Sequence, residues 1–359
     1  MKNLFKNMVL IGIILVMVCG CAANSSDTQS PENSGTSQTE SDASAAESEH
    51  TGSTSSDKEK FVLTPAKKVT DFDNEGKVVL CFGDSITQGY GMNTGYTYPE
   101  QLAANLNGQY KVINAGVGGE PGNAILSRAN CVKTVTSADI VFKAGQSEVT
   151  MPKTLFAVDK SVPHEMLGMG NQLNISRVII GNTEYNISSV QTGTAWNDIS
   201  YTVKRQNSEK ALTIPKGTSV KFDYTGQYKS IYCAVFLFGA NDGSERNDKT
   251  IIEKYKLAQK LCDKVIFIAP YFYGLNSDKS FDKVFGKNII NFREYTLTKA
   301  FNDYDIDKPD VLEYSKKNNL VPMCFNYDNS RTDCHLSALG YKVIADLVYQ
   351  KGVELKYWK

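Results

Sequence analysis

Histidine is scarce in this chain, and the scarcity singles out one residue. His50, His164 and His335 are the three imidazoles. His50 falls in a polar stretch near the N-terminus and His164 in a β-rich interruption. Only His335 lies where strands and helices alternate. A serine hydroxyl is a weak nucleophile at its own pKa and needs a base beside it, most often an imidazole. The candidate serine is Ser85, in Gly83-Asp84-Ser85, directly after a strongly apolar run. Two more short motifs also follow strand-like runs: Gly116-Val117-Gly118-Gly119 and Gly239-Ala240-Asn241-Asp242. Each alone is an ordinary tight bend, the usual place for glycine. Together they would bring glycine-rich turns and polar side chains to one rim. A serine nucleophile and an imidazole base at such a rim would suit acyl transfer.

The elements around these motifs must place them together. Lys77 to Phe82 is a near-continuous apolar run, which predicts a strand buried on both faces. A helix is expected near Tyr98 to Leu106, a short strand over Tyr110 to Asn114, and a helix ending near Lys133. Further strands are expected over Ile231 to Phe238 and Lys264 to Ala269, with a helix near Lys249 to Cys262 between them. The last third reads as helices near 288–302, 309–318 and 337–353. Strands alternating with helices of this length predict a parallel, doubly wound sheet. In such a sheet the ligand crevice lies beyond the carboxyl ends of the strands, where all three motifs fall.

Residues 138–228 break that rhythm. They hold short β-type runs at 176–180, 199–203 and 219–224, separated by turn signals such as Gly181-Asn182 and Pro215-Lys216-Gly217. This segment is expected to be a small antiparallel β domain inserted into the α/β body, which comprises 61–137 and 229–359. The body, roughly 210 residues, is large enough to bury ~70% of its unfolded-chain surface alone.

Four blocks now stand in order: GDSIT at 83–87, NAGVGGE at 114–120, FGAND at 238–242 and DCHLSALGY at 333–341. The set resembles the SGNH, or GDSL, hydrolases. The resemblance implies a three-layer α/β/α sandwich of flavodoxin-like type and a serine carboxylic-ester hydrolase. It implies that Ser85 is the nucleophile and His335 the base. The Ser85 and Gly119 N–H groups and the Asn241 amide would form the oxyanion hole. It requires no cofactor and no metal. One position departs from the pattern. An acid three residues before the histidine is usual, but Thr332 stands there and Asp333 lies two before. At a helix start a one-residue shift turns a side chain by ~100°. Asp333 is taken as the third catalytic member, with Thr332, Asp328 or a backbone carbonyl as alternative partners for His335. The serine motif is not G-x-S-x-G, which disfavours the nucleophile-elbow hydrolases.

The N-terminus reads as an address. Lys2 and Lys6 precede the apolar run Met8 to Val18, and Val18-Cys19-Gly20-Cys21 resembles a bacterial lipobox. That implies cleavage before Cys21, lipid on its sulfur, and an anchor on the outer face of the cytoplasmic membrane. The alternative is an ordinary signal peptide cut elsewhere. Residues 22–57 contain 16 Ser or Thr, seven acids and no Lys or Arg. They hold too little apolar surface to offset ordering entropy, so a disordered tether over 22–60 is expected.

Composition removes other classes. Lys+Arg and Asp+Glu both total 39, and no basic excess suggests a nucleic-acid partner. The apolar run Met8 to Val18 is shorter than the ~20 residues that span a bilayer, which excludes a multi-pass membrane protein. Among the eight cysteines, Cys19 and Cys21 belong to the export signal, and Cys81, Cys233 and Cys262 read as small buried hydrophobes. Cys324 and Cys334 flank a loop and are a candidate disulfide outside the cell. Tyr271, Phe272 and Tyr273 follow a strand and are candidates to line the crevice, while Trp196 and Tyr201 are either sugar-stacking residues or β-domain core. The leading function is therefore a secreted, lipid-anchored esterase removing acyl groups, foremost acetyl, from glycans. A lysophospholipase or thioesterase is the nearest alternative. A degenerate member that only binds a glycan or a partner is the alternative from another class. A dinucleotide site is remote, because Pro121 stands where the last glycine of such a loop belongs.

Overall fold

The computed structural model describes residues 62–67, 77–158, 177–192, 198–223, 230–272, 277–331 and 334–358. The α/β body opens with β1 (Val78–Gly83), α1 (Ser85–Gln88), α2 (Tyr98–Asn105), β2 (Lys111–Gly116) and α3 (Gly122–Arg128). Nine strands follow: β3 (Thr134–Thr136), β4 (Ile140–Phe142), β5 (Glu148–Pro152), β6 (Phe156–Val158), β7 (Arg177–Ile180), β8 (Thr183–Gln191), β9 (Ile199–Lys204), β10 (Leu212–Ile214) and β11 (Ser219–Phe222). The body then resumes with β12 (Ile231–Leu237), α4 (Asp248–Ala258), β13 (Val265–Ile268), α5 (Ser277–Phe285) and β14 (Ile289–Ile290). It ends in α6 (Phe292–Thr298), α7 (Ala300–Asp303), α8 (Pro309–Asn318) and α9 (Ala338–Glu354).

The central sheet has the order β14-β13-β12-β1-β2, and all four pairings are parallel. Every residue of β1 is buried, so helices cover both faces of the sheet. That is why Val78 to Phe82 shows no polar alternation. α2 packs on α9, which reaches β13 and β14, while α3 packs on α4 and α4 on α5. The chain leaves β1 towards β2 and later returns on the other side through β12. The strand order therefore reverses between β1 and β12, where open α/β sheets bind ligands. Gly83 is level with Leu237 of β12 and with Gly116 of β2. The three glycine-rich motifs thus leave the sheet at the same height.

The antiparallel system is a seven-stranded sheet, β5-β9-β8-β7-β11-β3-β6, beside a two-stranded ribbon of β10 and β4. It begins earlier than residue 138, because β3 pairs with β6 and β11 inside it. The apolar content of β3 is too short to mark a change of sheet in the sequence. Alternating burial in β7 and β11 gives the sheet one core face, filled by Val178, Tyr201, Phe156 and Phe222. Tyr201 is fully buried against Phe156, which assigns it to this core rather than to sugar stacking. The helix expected over 288–302 is instead β14 followed by α6 and α7. Cys324 and Cys334 are separate thiols rather than a disulfide.

Candidate active site

Ser85 begins α1 two residues beyond β1. Asp84 is the N-cap, and its Oδ1 accepts from the Ile86 N–H at 3.1 Å. Gly89 ends the turn in the left-handed region at φ +94°, and its N–H reaches back to the Ser85 carbonyl at 3.0 Å. Left-handed backbone favours glycine, so the short helix stops there. Gly83 leaves no room beside the turn: a Cβ on it would lie 2.0 Å from Thr87 Oγ1.

His335 arrives from the other end of the chain. Residues 325–327 run antiparallel to 335–337, with the Tyr327 N–H donating to the His335 carbonyl at 2.9 Å and the Ser337 N–H to the Phe325 carbonyl at 2.8 Å. Ser337 then caps α9 by accepting from the Gly340 N–H. Held by this clamp, the buried His335 brings Nε2 to 2.8 Å from Ser85 Oγ. The Tyr90 ring lies over the imidazole, with centroids 4.2 Å apart, and Tyr327 meets Tyr90 edge-on. Tyr90 was not among the sequence candidates. Its only signal is its position between Gly89 and Gly91, just after the serine turn.

The loop after β2 is tied to the serine turn. The Gly118 N–H donates to Gln88 Oε1 at 2.7 Å, and Asn114 Nδ2 donates to the Gln88 carbonyl at 3.1 Å. A Cβ on Gly118 would lie 3.8 Å from Ser85 Cβ, so this loop borders the nucleophile. Gly119 adopts φ +78°, and Glu120, next in the chain, forms a fully buried ion pair with Arg128 of α3 at 2.6 Å. The loop after β12 joins it from the other side. Asn241 is exposed, and its Nδ2 donates to the Glu120 carbonyl at 3.3 Å. Asp242 Oδ1 accepts the Gly122 N–H at 3.1 Å.

Ser85 and His335 are thus in direct contact, Gly118 borders Ser85, Gly119 follows it in the same loop, and Asn241 is bound to that loop. Asp333 and Thr332 lie outside the described residues, as do Cys21, Trp196 and Tyr273. Asp328 is exposed, has left-handed backbone, and makes no hydrogen bond or ion pair among the described residues. It does not hold the imidazole. Tyr271 and Phe272 are buried, with the Tyr271 hydroxyl donating to the Cys334 carbonyl at 3.1 Å and its ring against Phe292. The Tyr271 hydroxyl thus supports the histidine loop, and both rings belong to the buried core after β13.

The charge beneath the site is mixed. Burial pushes the Asp84 carboxyl from 3.8 up to about 6, against the Ile86 N–H, the His335 charge and the Ala240 N–H; the Asp242 charge adds to the rise. No cluster of metal-ligating side chains occurs among the described residues. The arrangement offers a hydroxyl with a base in hydrogen-bond reach, which is the equipment of nucleophilic catalysis, and the glycine loop beside it carries the Asn241 amide.

No protein-family model matches the chain, and no curated protein does. Solved structures give weak likenesses. A protein assigned to the lipolytic G-D-S-L family from Desulfitobacterium hafniense DCB-2 is 12% identical, with a TM-score of 0.32 over 77% of this chain and 99% of that one. A carbohydrate acetylesterase family member from Sinorhizobium meliloti is 11% identical, with a TM-score of 0.33 over 78% and 98%. A second carbohydrate acetylesterase from that organism is 13% identical, with a TM-score of 0.31 over 78% and 99%. At such scores the fold rests on the strand order and registers described above.

Proposed function

We propose that this chain is a serine ester hydrolase of the SGNH type, working through an acyl-enzyme on Ser85. The observation that carries the reading is the 2.8 Å contact between Ser85 Oγ and His335 Nε2 at the strand-order reversal of a parallel sheet. In the first half-reaction Ser85 Oγ attacks the ester carbonyl carbon while its proton passes to Nε2. The carbonyl oxygen becomes an oxyanion and takes hydrogen bonds from the Ser85 and Gly119 N–H groups and the Asn241 amide. Each such donor is worth about 3 kcal/mol of barrier. As the tetrahedral intermediate collapses, the imidazolium returns the proton to the leaving alcohol. Water then attacks the acyl-enzyme, with His335 again as base and then as acid. Asp333 is proposed to steady the imidazolium from the other ring nitrogen.

The proposed substrates are acyl esters of glycans, acetyl foremost, reached by a protein held at the bacterial surface through lipid on Cys21. Both parts rest on the motifs at 83–87, 238–242 and 18–21. The test is turnover of 4-nitrophenyl esters of increasing chain length alongside acetate release from acetylated glycans. Acetyl esters should be fastest, and Ser85→Ala and His335→Ala should each lose at least about 1,000-fold in kcat. A preference for long chains would move the assignment to a lysophospholipase or thioesterase. Asp333→Ala with nearly full activity would reduce the triad to a dyad. No turnover of any activated ester by purified protein would end the esterase reading.

A further inference from the structure

Among the buried charged groups that the acyl-transfer chemistry leaves unused, Asp242 and Lys254 lie against the loops of the site. Asp242 follows Asn241 directly, and its side chain is 1% exposed. A carboxylate withdrawn from water is costly unless it is paired and hydrogen-bonded. Lys254 of α4 supplies the counter-charge: its Nζ contacts Asp242 Oδ1 and also Glu245 Oε2 at 2.8 Å. The same Oδ1 accepts the Gly122 N–H. Gly122 has no space to spare, since a Cβ there would stand 3.1 Å from Asp242 Oδ2, Lys254 Cδ and Phe238. The Asp242 carboxylate is therefore wedged between an ammonium and the backbone of the opposite loop.

That wedge lies between the two loops that carry the proposed oxyanion donors. Gly119 is three residues before Gly122, and Asn241 is one before Asp242. The loops are tied twice, once by Asn241 Nδ2 to the Glu120 carbonyl and once by the Gly122 N–H to Asp242. The first tie uses the very amide that must serve the substrate. The second leaves that amide alone and sets the spacing of the loops.

We infer that Lys254 is a positioning residue for the oxyanion hole: its ammonium holds the Asp242 carboxylate against the Gly122 N–H, and so fixes the Gly119 turn relative to Asn241. The inference rests on the esterase reading for its kinetic consequence but not for its structural one. The test compares wild type, Lys254→Met and the neutral pair Asp242→Asn/Lys254→Met. A displacement of ~1 Å in a catalytic group costs roughly 100-fold, so Lys254→Met should lower kcat for 4-nitrophenyl acetate by about that factor, with KM within about twofold. The double variant keeps an acceptor for Gly122 without a lone buried charge, and should regain at least about tenfold of the loss. Amide hydrogen exchange, which needs no turnover, should quicken in segments 118–122 and 239–242 in Lys254→Met and return towards wild type in the double variant. Wild-type exchange in those segments of Lys254→Met, or equal losses in single and double variants, would overturn the positioning role. A folded wild type that turns over no ester would sink the esterase reading, while the exchange result would still decide the strut.

Discussion

At the scale of single residues, the site is a balance of buried charges around one contact. Asp84 does two things: it caps the serine turn through Oδ1, and it leaves Oδ2 without a hydrogen bond among the described residues. Its folded pKa of about 6 lies above the ordinary 3.8, so between these values the folded protein binds more protons than the unfolded chain. Stability contributed by this carboxyl is present below 3.8 and is lost as pH rises through 6. Asp84→Asn keeps an oxygen for the cap but cannot ionise. Melting temperatures from pH 3.5 to 7.5 should therefore decline less in Asp84→Asn than in wild type. Parallel curves would show that burial of Asp84 is not what shapes the profile. At this scale the sequence was most readable where a residue type is rare or chemically forced. His335 stood out because the chain has three histidines, and Ser85, Gly119 and Asn241 because each follows an apolar run. Lys254 was invisible, because nothing local distinguishes a buried lysine from the exposed lysines of the same helix. Tyr271 misled for the converse reason: its loop position suggested the crevice, but the backbone turns it inward.

Among the elements, register does the positioning. Gly83, Gly116 and Leu237 are level across three adjacent strands, so loops of two to four residues suffice to bring Ser85, Gly118 and Asn241 to one rim. The glycines there are needed for space. A Cβ on Gly116 would lie 2.1 Å from the Gln88 nitrogen and 2.5 Å from the Thr87 carbonyl carbon, both backbone atoms that cannot swing aside. Gly116→Ala should cost about 3 kcal/mol or more by urea unfolding, and should depress kcat because the serine turn must move. A stable, fully active Gly116→Ala would mean that α1 and β2 are less tightly apposed than 2.1 Å implies. The parallel strands were legible because burial on both faces removes alternation. The pieces β4, β6 and β10, three residues each, were not, because so short a run carries no period. The expected helix over 288–302 is met by α6 and α7 but started too early for a related reason: β14 is two residues long, and only its place beside β13 makes it a strand.

For the whole molecule, the α/β body and the antiparallel sheet share one continuous apolar core within the compact unit Lys58–Lys359. The seam is explicit at Asn130, after α3: its Nδ2 donates to the Phe222 carbonyl at 2.7 Å and its Oδ1 accepts the Phe222 N–H at 2.9 Å. Asn130 thus pairs with the end of β11 as a strand neighbour would. Its φ of +55° suits asparagine or glycine. Asn130→Gly keeps the backbone and removes both bonds, for a loss of about 2 kcal/mol. Chemical denaturation should still show one transition, shifted to lower denaturant; two separated transitions would mean that the sheets unfold independently. The sequence marked the insertion by its loss of helical period, but not this seam, because an asparagine carries no signal of a partner 92 residues away.

The most direct measurement for the whole proposal is covalent labelling with a fluorophosphonate, followed by peptide mapping. The hydroxyl in contact with His335 should be the one that attacks phosphorus and expels fluoride, giving a single adduct on Ser85 at a rate that collapses in His335→Ala. An adduct on any other residue, or an unlabelled protein that still hydrolyses 4-nitrophenyl acetate, would contradict it.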